Sequence, residues 1–454
     1  MLTLAPLSTM AAPPQFVSNV TQLYPVRVSR IERPTSSAAV AAAVRAWPSK
    51  VAVGGGCYSM GGQVAIAGGL HLDMRQMNGL VWVRPADKAV RVQAGMRWRD
   101  LQDVLDPLGL AVKLMQSYAN FTIGGAVSVN AHGRYVGRGP VGNSVRAVQL
   151  VCADGSLVEA SRTQNTTLFR AALGGYGAVG VITEVELDLA DNVRIERTVE
   201  AVALERYVEF FDKVVLADPR SVLHNANLLP PHFDTPTAVT WRTTDKALTE
   251  PARLVPRDDG YALQRSLIWA VTELPGGQTI RKSVVQPLLE EGPAVKWLNH
   301  EASLDVAELE PASRRHSTYV LQEYFVPRLA VTVFCQAMAK TLRSHRVNAL
   351  NVSLRHSPAD TLSLMPWART DVFCFVLYYK QDTTAEACSA VGRWTRELIA
   401  HALESGGRYY LPYQLHATAS QFERAYPEVA SLRALKKQVD PGGKFSNTMW
   451  ARYL

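Results

Sequence analysis

A chain of 454 residues, 47% hydrophobic and 19% charged, is long enough for two domains with large buried cores. It has no apolar run of about 18 residues, so no membrane-spanning helix is expected, and the opening MLTLAPLSTMAAPPQ lacks the basic start of a secretory signal. The net charge of +8 is modest, five scattered cysteines (Cys57, Cys152, Cys335, Cys374, Cys388) have no metal-ligand spacing, and ten histidines form no HExxH-type pair. These features argue against a nucleic-acid partner and a metal site, and fit a reducing, cytoplasmic setting.

In chain order, residues 21–191 alternate short β-rich runs with helices. KVAVGGG, GGLHLDM, AVRVQAG, AVQLVCADGSLVEA and VGVITEVELDLA read as strands, rich in valine and leucine and bounded by glycine or aspartate. RWRDLQDVLDPLG and NTTLFRAALGG read as helices that stop at glycine. ADGS is a hairpin turn. Antiparallel pairs mixed with helices predict an α+β fold and not a doubly wound sheet. After about residue 192 the texture changes. TDKALTEPARLVPRDDGYA, residues 244–262, is a polar excursion; STYVLQEYFVP and DVFCFVLYYKQ are strands, and RLAVTVFCQAMAKTLRS and ACSAVGRWTRELIAHALES are helices. The predicted organisation is an extension over 1–20, a first domain over 21–191, a second over 192–407, built on an antiparallel sheet flanked by helices, and an aromatic tail over 408–454 whose LRALKKQVDP reads as a helix with one polar face.

Three glycine-rich segments carry the chemistry. GYGAVG, Gly175–Gly180, matches the dinucleotide fingerprint by letter but follows a helix and precedes a strand, the reverse of what that fingerprint requires. VAVGGGCYSMGGQ, residues 51–63, runs from a strand into a loop whose successive Cβ-free amides can form a nest for a pyrophosphate. SYANFTIGGAVSVNAHG, residues 117–133, offers small residues against which a planar ring can lie, followed by His132.

With GGLHLDMRQMN and VQAGMRWRDLQDVLDPLGLAV between them, these segments occur in the order found in the FAD-binding domain of the vanillyl-alcohol-oxidase (PCMH-type) flavoproteins, which the chain resembles over about 21–191. The tail YLPYQLHA…VDPGGKF resembles the family's returning C-terminal segment, whereas 192–404 resembles it chiefly through QEYFVP and NVSLR. The resemblance implies two subdomains cradling FAD and a cap over the flavin ring. It implies that Val53, Gly54, Gly55, Gly56, Cys57, Tyr58, Ser59, Met60 and Gln63 form the pyrophosphate loop. Ser117, Tyr118, Thr122, Gly124, Gly125, Ser128, Val129 and His132 would line the ring and ribityl chain, with Gly180, Val181 and Ile182 on the adenine side.

Many members bond FAD covalently through a histidine after the glycines, and some through a second cysteine before the later glycine pair. Here Tyr58 and Tyr118 stand at those positions, with Cys57 off register by one, so the resemblance implies noncovalent FAD. It implies an oxidase or dehydrogenase that passes a hydride from a CH–OH carbon of a sugar-, polyol- or alcohol-like small molecule to the flavin, reoxidised by oxygen or another acceptor. Glu323, Arg355, Tyr410, Tyr413 and His416 would form the catalytic face, with Arg355 as the charge stabiliser and Glu323 or Tyr413 as the base. A sugar-lipid oxidase of the family has a catalytic lysine where this chain has Tyr413, which argues against a sugar-lipid substrate. Two other readings stay open, a secondary-metabolism oxidase (oxidative cyclisation or amine oxidation) on the same scaffold and a flavin-binding protein without turnover.

Overall fold

The computed structural model describes residues 14–257, 294–311 and 313–454; the last part of the polar excursion, 258–262, lies outside them. A small parallel sheet comes first, with Leu70–Asp73 between Arg30–Glu32 and Val51–Gly54. Helix Ser37–Ala46 covers it, capped by Ser36, whose hydroxyl accepts from the Ala39 amide. Its Val40, Ala41 and Val44 join Val51, Leu70 and Leu72 in one apolar cluster. Strand Gln15–Val17 pairs with Val26–Val28 beside it.

A second sheet is antiparallel, ordered Leu157–Ser161, Val145–Val151, Val181–Asp191, Ala89–Gln93, Leu80–Arg84, with Leu110–Val112 extending the far end of Val181–Asp191. The ADGS hairpin joins its first two strands. Gly155 takes the left-handed conformation at φ 79° and the Asp154 carboxylate accepts from Ser156. Helix Trp98–Leu105 ends where Pro107 forces a 3-10 turn, closed by Gly109 at φ 71°.

At Asn192 the chain crosses to an eight-stranded antiparallel sheet, ordered Val295–Trp297, Arg194–Ala201, Thr237–Thr243, Ser221–Leu228, Asn348–Ser357, Val372–Asp382, Ser317–Pro327, Arg408–Tyr409. Helices Val331–Ser344 and Ala385–Glu404 share its largest apolar core. The architecture is therefore α+β, with antiparallel sheets flanked by helices. The tail then returns to the first sheet. Phe445 bridges in parallel to Val51 and is fully buried there, the Met60 amide donates to Pro412, and the Met449 amide donates to Gly62. This return brings Tyr410 and Tyr413 beside the glycine loop. No described helix is long and apolar enough to cross a membrane.

Candidate active site

A cleft enclosing about 1730 Å³, part of it open to solvent, lies between the first two sheets and the eight-stranded one. The glycine loop, the 117–132 segment and Gly180–Ile182 form one wall, and the large sheet and the returning tail form the other. Every residue expected at the cofactor lines it except Gly54. That glycine faces away, and a Cβ on it would fall 3.1 Å from His71 Nε2 and closer still to the rest of that ring, so its smallness serves the packing of His71.

Gly55 faces Thr122 so closely that an added Cβ would run into the threonine hydroxyl, and a Cβ on Gly56 would come within 2.8 Å of the Tyr58 ring. Cys57 holds a left-handed backbone at φ 58°, with its thiol turned back towards the Gly55 carbonyl. Burial pushes that thiol up to about 11, so it is un-ionised at neutral pH. The Tyr58 ring packs on Phe121 with centroids 4.2 Å apart. Gln63 borders the cleft, but its amide is already engaged. Its oxygen accepts from Gly61, and its nitrogen donates to the carbonyls of Leu411 at 2.7 Å and Tyr413 at 3.0 Å. Its observed contacts therefore tie the tail to the loop and set the place of Tyr413.

In the later segment, Gly124 lies in the first turn of a short helix, Ile123–Ser128, and a Cβ there would come within 2.6 Å of Ala94. Close backbone packing explains this glycine. The decoy fingerprint also has a structural role: Tyr176 and Gly177 are both left-handed, at φ 50° and 73°, and turn the chain from helix Thr166–Ala172 into strand Val181–Asp191. Among the described residues, Gln116 Oε1, Ser117 Oγ, Thr122 Oγ1 and His132 Nδ1 are buried without a hydrogen-bond partner, and all four residues line the cleft. Buried polar atoms left unpaired are costly. A wall with four of them beside Cβ-free backbone fits a large polar ligand with a planar ring, as FAD is.

The opposite wall follows from strand alternation. Tyr319, Leu321 and Glu323 share one face of strand Ser317–Pro327, and Val376 and Tyr378 share the matching face of Val372–Asp382, with Glu323 opposite Val376 and Leu321 opposite Tyr378. Arg355 comes from the next strand, opposite Cys374. The period-two signal from Glu323 points to Tyr319 and Leu321, which sequence reasoning passed over; the same reasoning also missed Arg314, Glu310 and Gly177.

Glu323 is 2% exposed. One of its carboxylate oxygens meets His132 Nε2, and the other accepts from the Tyr413 hydroxyl at 3.1 Å. His132 lies among Trp367, Phe325 and Tyr410, with ring centroids 4.9 to 6.0 Å away. Burial, reinforced by the Glu323 charge, raises the Tyr413 phenol well above its usual range, so it holds its proton. The sulfur of Cys374 also lies within 4.8 Å of the His132 and Glu323 ligand atoms. Glu323 is occupied on both oxygens, however, and burial raises the Cys374 thiol well above its usual range. Arg355 lines the cleft and, among the described residues, makes one hydrogen bond, from Nε to Ser353 Oγ at 3.3 Å; burial draws its pKa below the usual arginine value.

Tyr410 lines the cleft, but its hydroxyl donates to the Val129 carbonyl at 2.7 Å, which ties the tail to the FAD-side wall. His416 is a correction. It does not line the cleft, because past Pro412 the tail turns towards helix Ala385–Glu404. There its ring meets Gln414 at 3.1 Å and sits over Gly392, and burial beside Arg396 and Arg452 lowers it to about 4.

The FAD binding domain family matches residues 28–161, and the D-arabinono-1,4-lactone oxidase family matches residues 185–453, including the middle that the motifs alone had marked only faintly. L-gulonolactone oxidase of Bos taurus is 25% identical over 417 residues, 90% of each chain. Alditol oxidase of a Streptomyces strain is 27% identical over 363 residues, 80% of each, and decaprenylphosphoryl-beta-D-ribose oxidase of Mycolicibacterium smegmatis is 23% identical over 433 residues, 87% of each. A cleft shaped for FAD, an acid–tyrosine–arginine face across from it and a match over more than half the chain together show that this protein belongs to the D-arabinono-1,4-lactone oxidase family of PCMH-type FAD-dependent oxidoreductases, acting on CH–OH donors.

Proposed function

We propose that the cleft holds FAD noncovalently and that the protein oxidises a carbinol of a sugar- or polyol-like small molecule. Gly55 and Gly56 would hold the pyrophosphate, and Ser117, Thr122 and Ser128 the ring and ribityl edges. Bound there, FAD supplies the hydride acceptor. The observation that carries the reading is the buried chain Tyr413–Glu323–His132, with Arg355 on the same wall.

Arg355 would face the oxygen of the carbinol and stabilise the negative charge that grows there as the hydride leaves; a permanently charged guanidinium in a water-poor cleft suits that role. The carbinol proton would pass to the Tyr413 oxygen as Tyr413 gives its own to the Glu323 carboxylate at Oε2, leaving Glu323 neutral, while His132 would hold the carboxyl in place through its other oxygen. Gln63 would keep Tyr413 in place from the loop side. The sugar- and polyol-acting names of two relatives support the substrate class, and the oxidases among them make oxygen the first acceptor to test.

The test is anaerobic flavin reduction in Tyr413→Phe and Glu323→Gln. Each should slow reduction by about 100- to 10,000-fold, the usual range for removing a general base, with FAD still bound. Reduction near the wild-type rate in both would remove the proton path from this face.

A further inference from the structure

Two arginines line one cleft, and among the described residues neither has a carboxylate partner. Among those residues Arg314 makes one hydrogen bond, from Nη1 to Thr318 Oγ1 at 2.6 Å, and Arg355 one, to Ser353. Among the described residues, no carboxylate oxygen lies within 4.0 Å of either guanidinium. Glu323, the acid that acts most strongly on Arg355, is saturated by His132 and Tyr413. Glu310, which acts most strongly on Arg314, shares the same wall but stands beyond ion-pairing reach. Burial draws both guanidiniums below their usual pKa, while both side chains remain partly exposed, as groups lining a cleft are.

The two cations are set apart. Strand register separates them: Arg355 stands opposite Cys374, Tyr378 lies further along that same strand opposite Leu321, and Arg314 precedes strand Ser317–Pro327, whose first residue pairs with Asp382 beyond Tyr378. Arg314 also borders a second, polar pocket that meets the cleft at Gly56–Tyr58.

We infer that Arg314 is a subsite for an oxyanion on the substrate, so that the physiological substrate is a sugar or polyol bearing a carboxylate or phosphate at the end remote from the oxidised carbinol. This rests on the carbinol-oxidation reading of the same cleft. A fork of free N–H donors suits either anion. Glu310 opposes such a substrate and tunes the subsite.

The test uses the holoenzyme and a matched set of substrates: an alditol, the aldonate of the same chain, its lactone and the alditol phosphate. Anaerobic flavin reduction should favour the aldonate or the phosphate over the neutral members, and the better of the two identifies the anion. Arg314→Gln should cut the anionic-to-neutral ratio of kcat/KM on the order of 10- to 100-fold, mainly through KM, as expected for losing a hydrogen bond to a charged group. Arg314→Lys should restore part of it, and Glu310→Gln should raise it. Independently of turnover, succinate and inorganic phosphate, which have no carbinol to oxidise, should bind the wild type, read calorimetrically, and lose affinity in Arg314→Gln.

An unchanged ratio together with unchanged succinate and phosphate affinity in Arg314→Gln overturns the inference while leaving carbinol oxidation standing. A fall in FAD affinity without either change also overturns it, and assigns Arg314 to the cofactor's phosphates. If no member of the set reduces the flavin but succinate or phosphate binding depends on Arg314, the carbinol reading fails and the oxyanion subsite stands.

Discussion

Replacing Gly55 by alanine probes the cradle with a single methyl group. The added Cβ would collide with the Thr122 hydroxyl and lie 3.1 Å from its Cβ and 3.3 Å from its Cγ2, inside the 3.4–4 Å of ordinary contact. Thr122 has little room to retreat. It is 1% exposed, its carbonyl accepts from Ala126, its backbone bridges to Arg97, and the next amide is tied to Met96. The glycine loop must therefore shift, at the cost of about 1–3 kcal/mol typical of overpacking, and the shift falls on the amides that would face the pyrophosphate. Flavin-to-protein absorbance ratio and FAD affinity should both drop, with a lower apo-protein Tm. Thr122→Ala removes the hydroxyl and Cγ2, so the double variant should recover FAD binding relative to Gly55→Ala, a coupling that two independent sites would not show. Full FAD occupancy and unchanged Tm in Gly55→Ala would refute the reasoning, and the loop would then be only a turn.

Two further outcomes follow from the same geometry. Because the resemblance puts Tyr58 and Tyr118 at the attachment positions, and the Cys57 thiol is un-ionised and turned to Gly55, acid precipitation should leave the yellow colour in the supernatant; a fluorescent protein band on a denaturing gel would contradict noncovalent binding. His224 is buried between the Tyr207 hydroxyl at 3.0 Å and the Thr240 hydroxyl at 2.8 Å, and burial, with Arg242 and His356 adding to it, lowers its pKa to about 3. The unfolded chain, near 6.5, then binds the proton first, so this residue's stabilisation is full above about pH 6.5 and is lost as pH falls towards 3. His224→Gln should flatten the Tm-against-pH curve in that window, and an unchanged slope would show that His224 does not titrate there.

The sequence carried the glycine loop, the 117–132 segment and the large sheet's central strands, because each rests on local signals: Cβ-free runs, alternation and glycine stops. What it did not carry depends on where distant segments meet. Gly54 and Gly124 read as cofactor contacts like their neighbours, yet each is small because another part of the fold, His71 or Ala94, presses on it. Gln63 read as a ligand group, and only the return of the tail shows its amide spent on Leu411 and Tyr413. His416 shares a motif with Tyr413 but lies beyond a turn, so three residues of spacing take it out of the cleft. Arg314 had no motif at all; that it lines the cleft with no carboxylate partner among the described residues is something a sequence does not display.

The most direct measurement is stopped-flow anaerobic reduction of the FAD-loaded protein by a panel of polyols, sugar lactones and sugar acids, in wild type and Arg355→Met. The methionine keeps much of the side chain's length and removes the charge from the cleft. At least one CH–OH compound should bleach the wild-type flavin, and Arg355→Met, still carrying FAD, should do so about 100- to 1,000-fold more slowly, the usual loss for one charge-stabilising group. Reduction at the wild-type rate in Arg355→Met, or a wild-type flavin that no CH–OH compound bleaches, would contradict the catalytic face described.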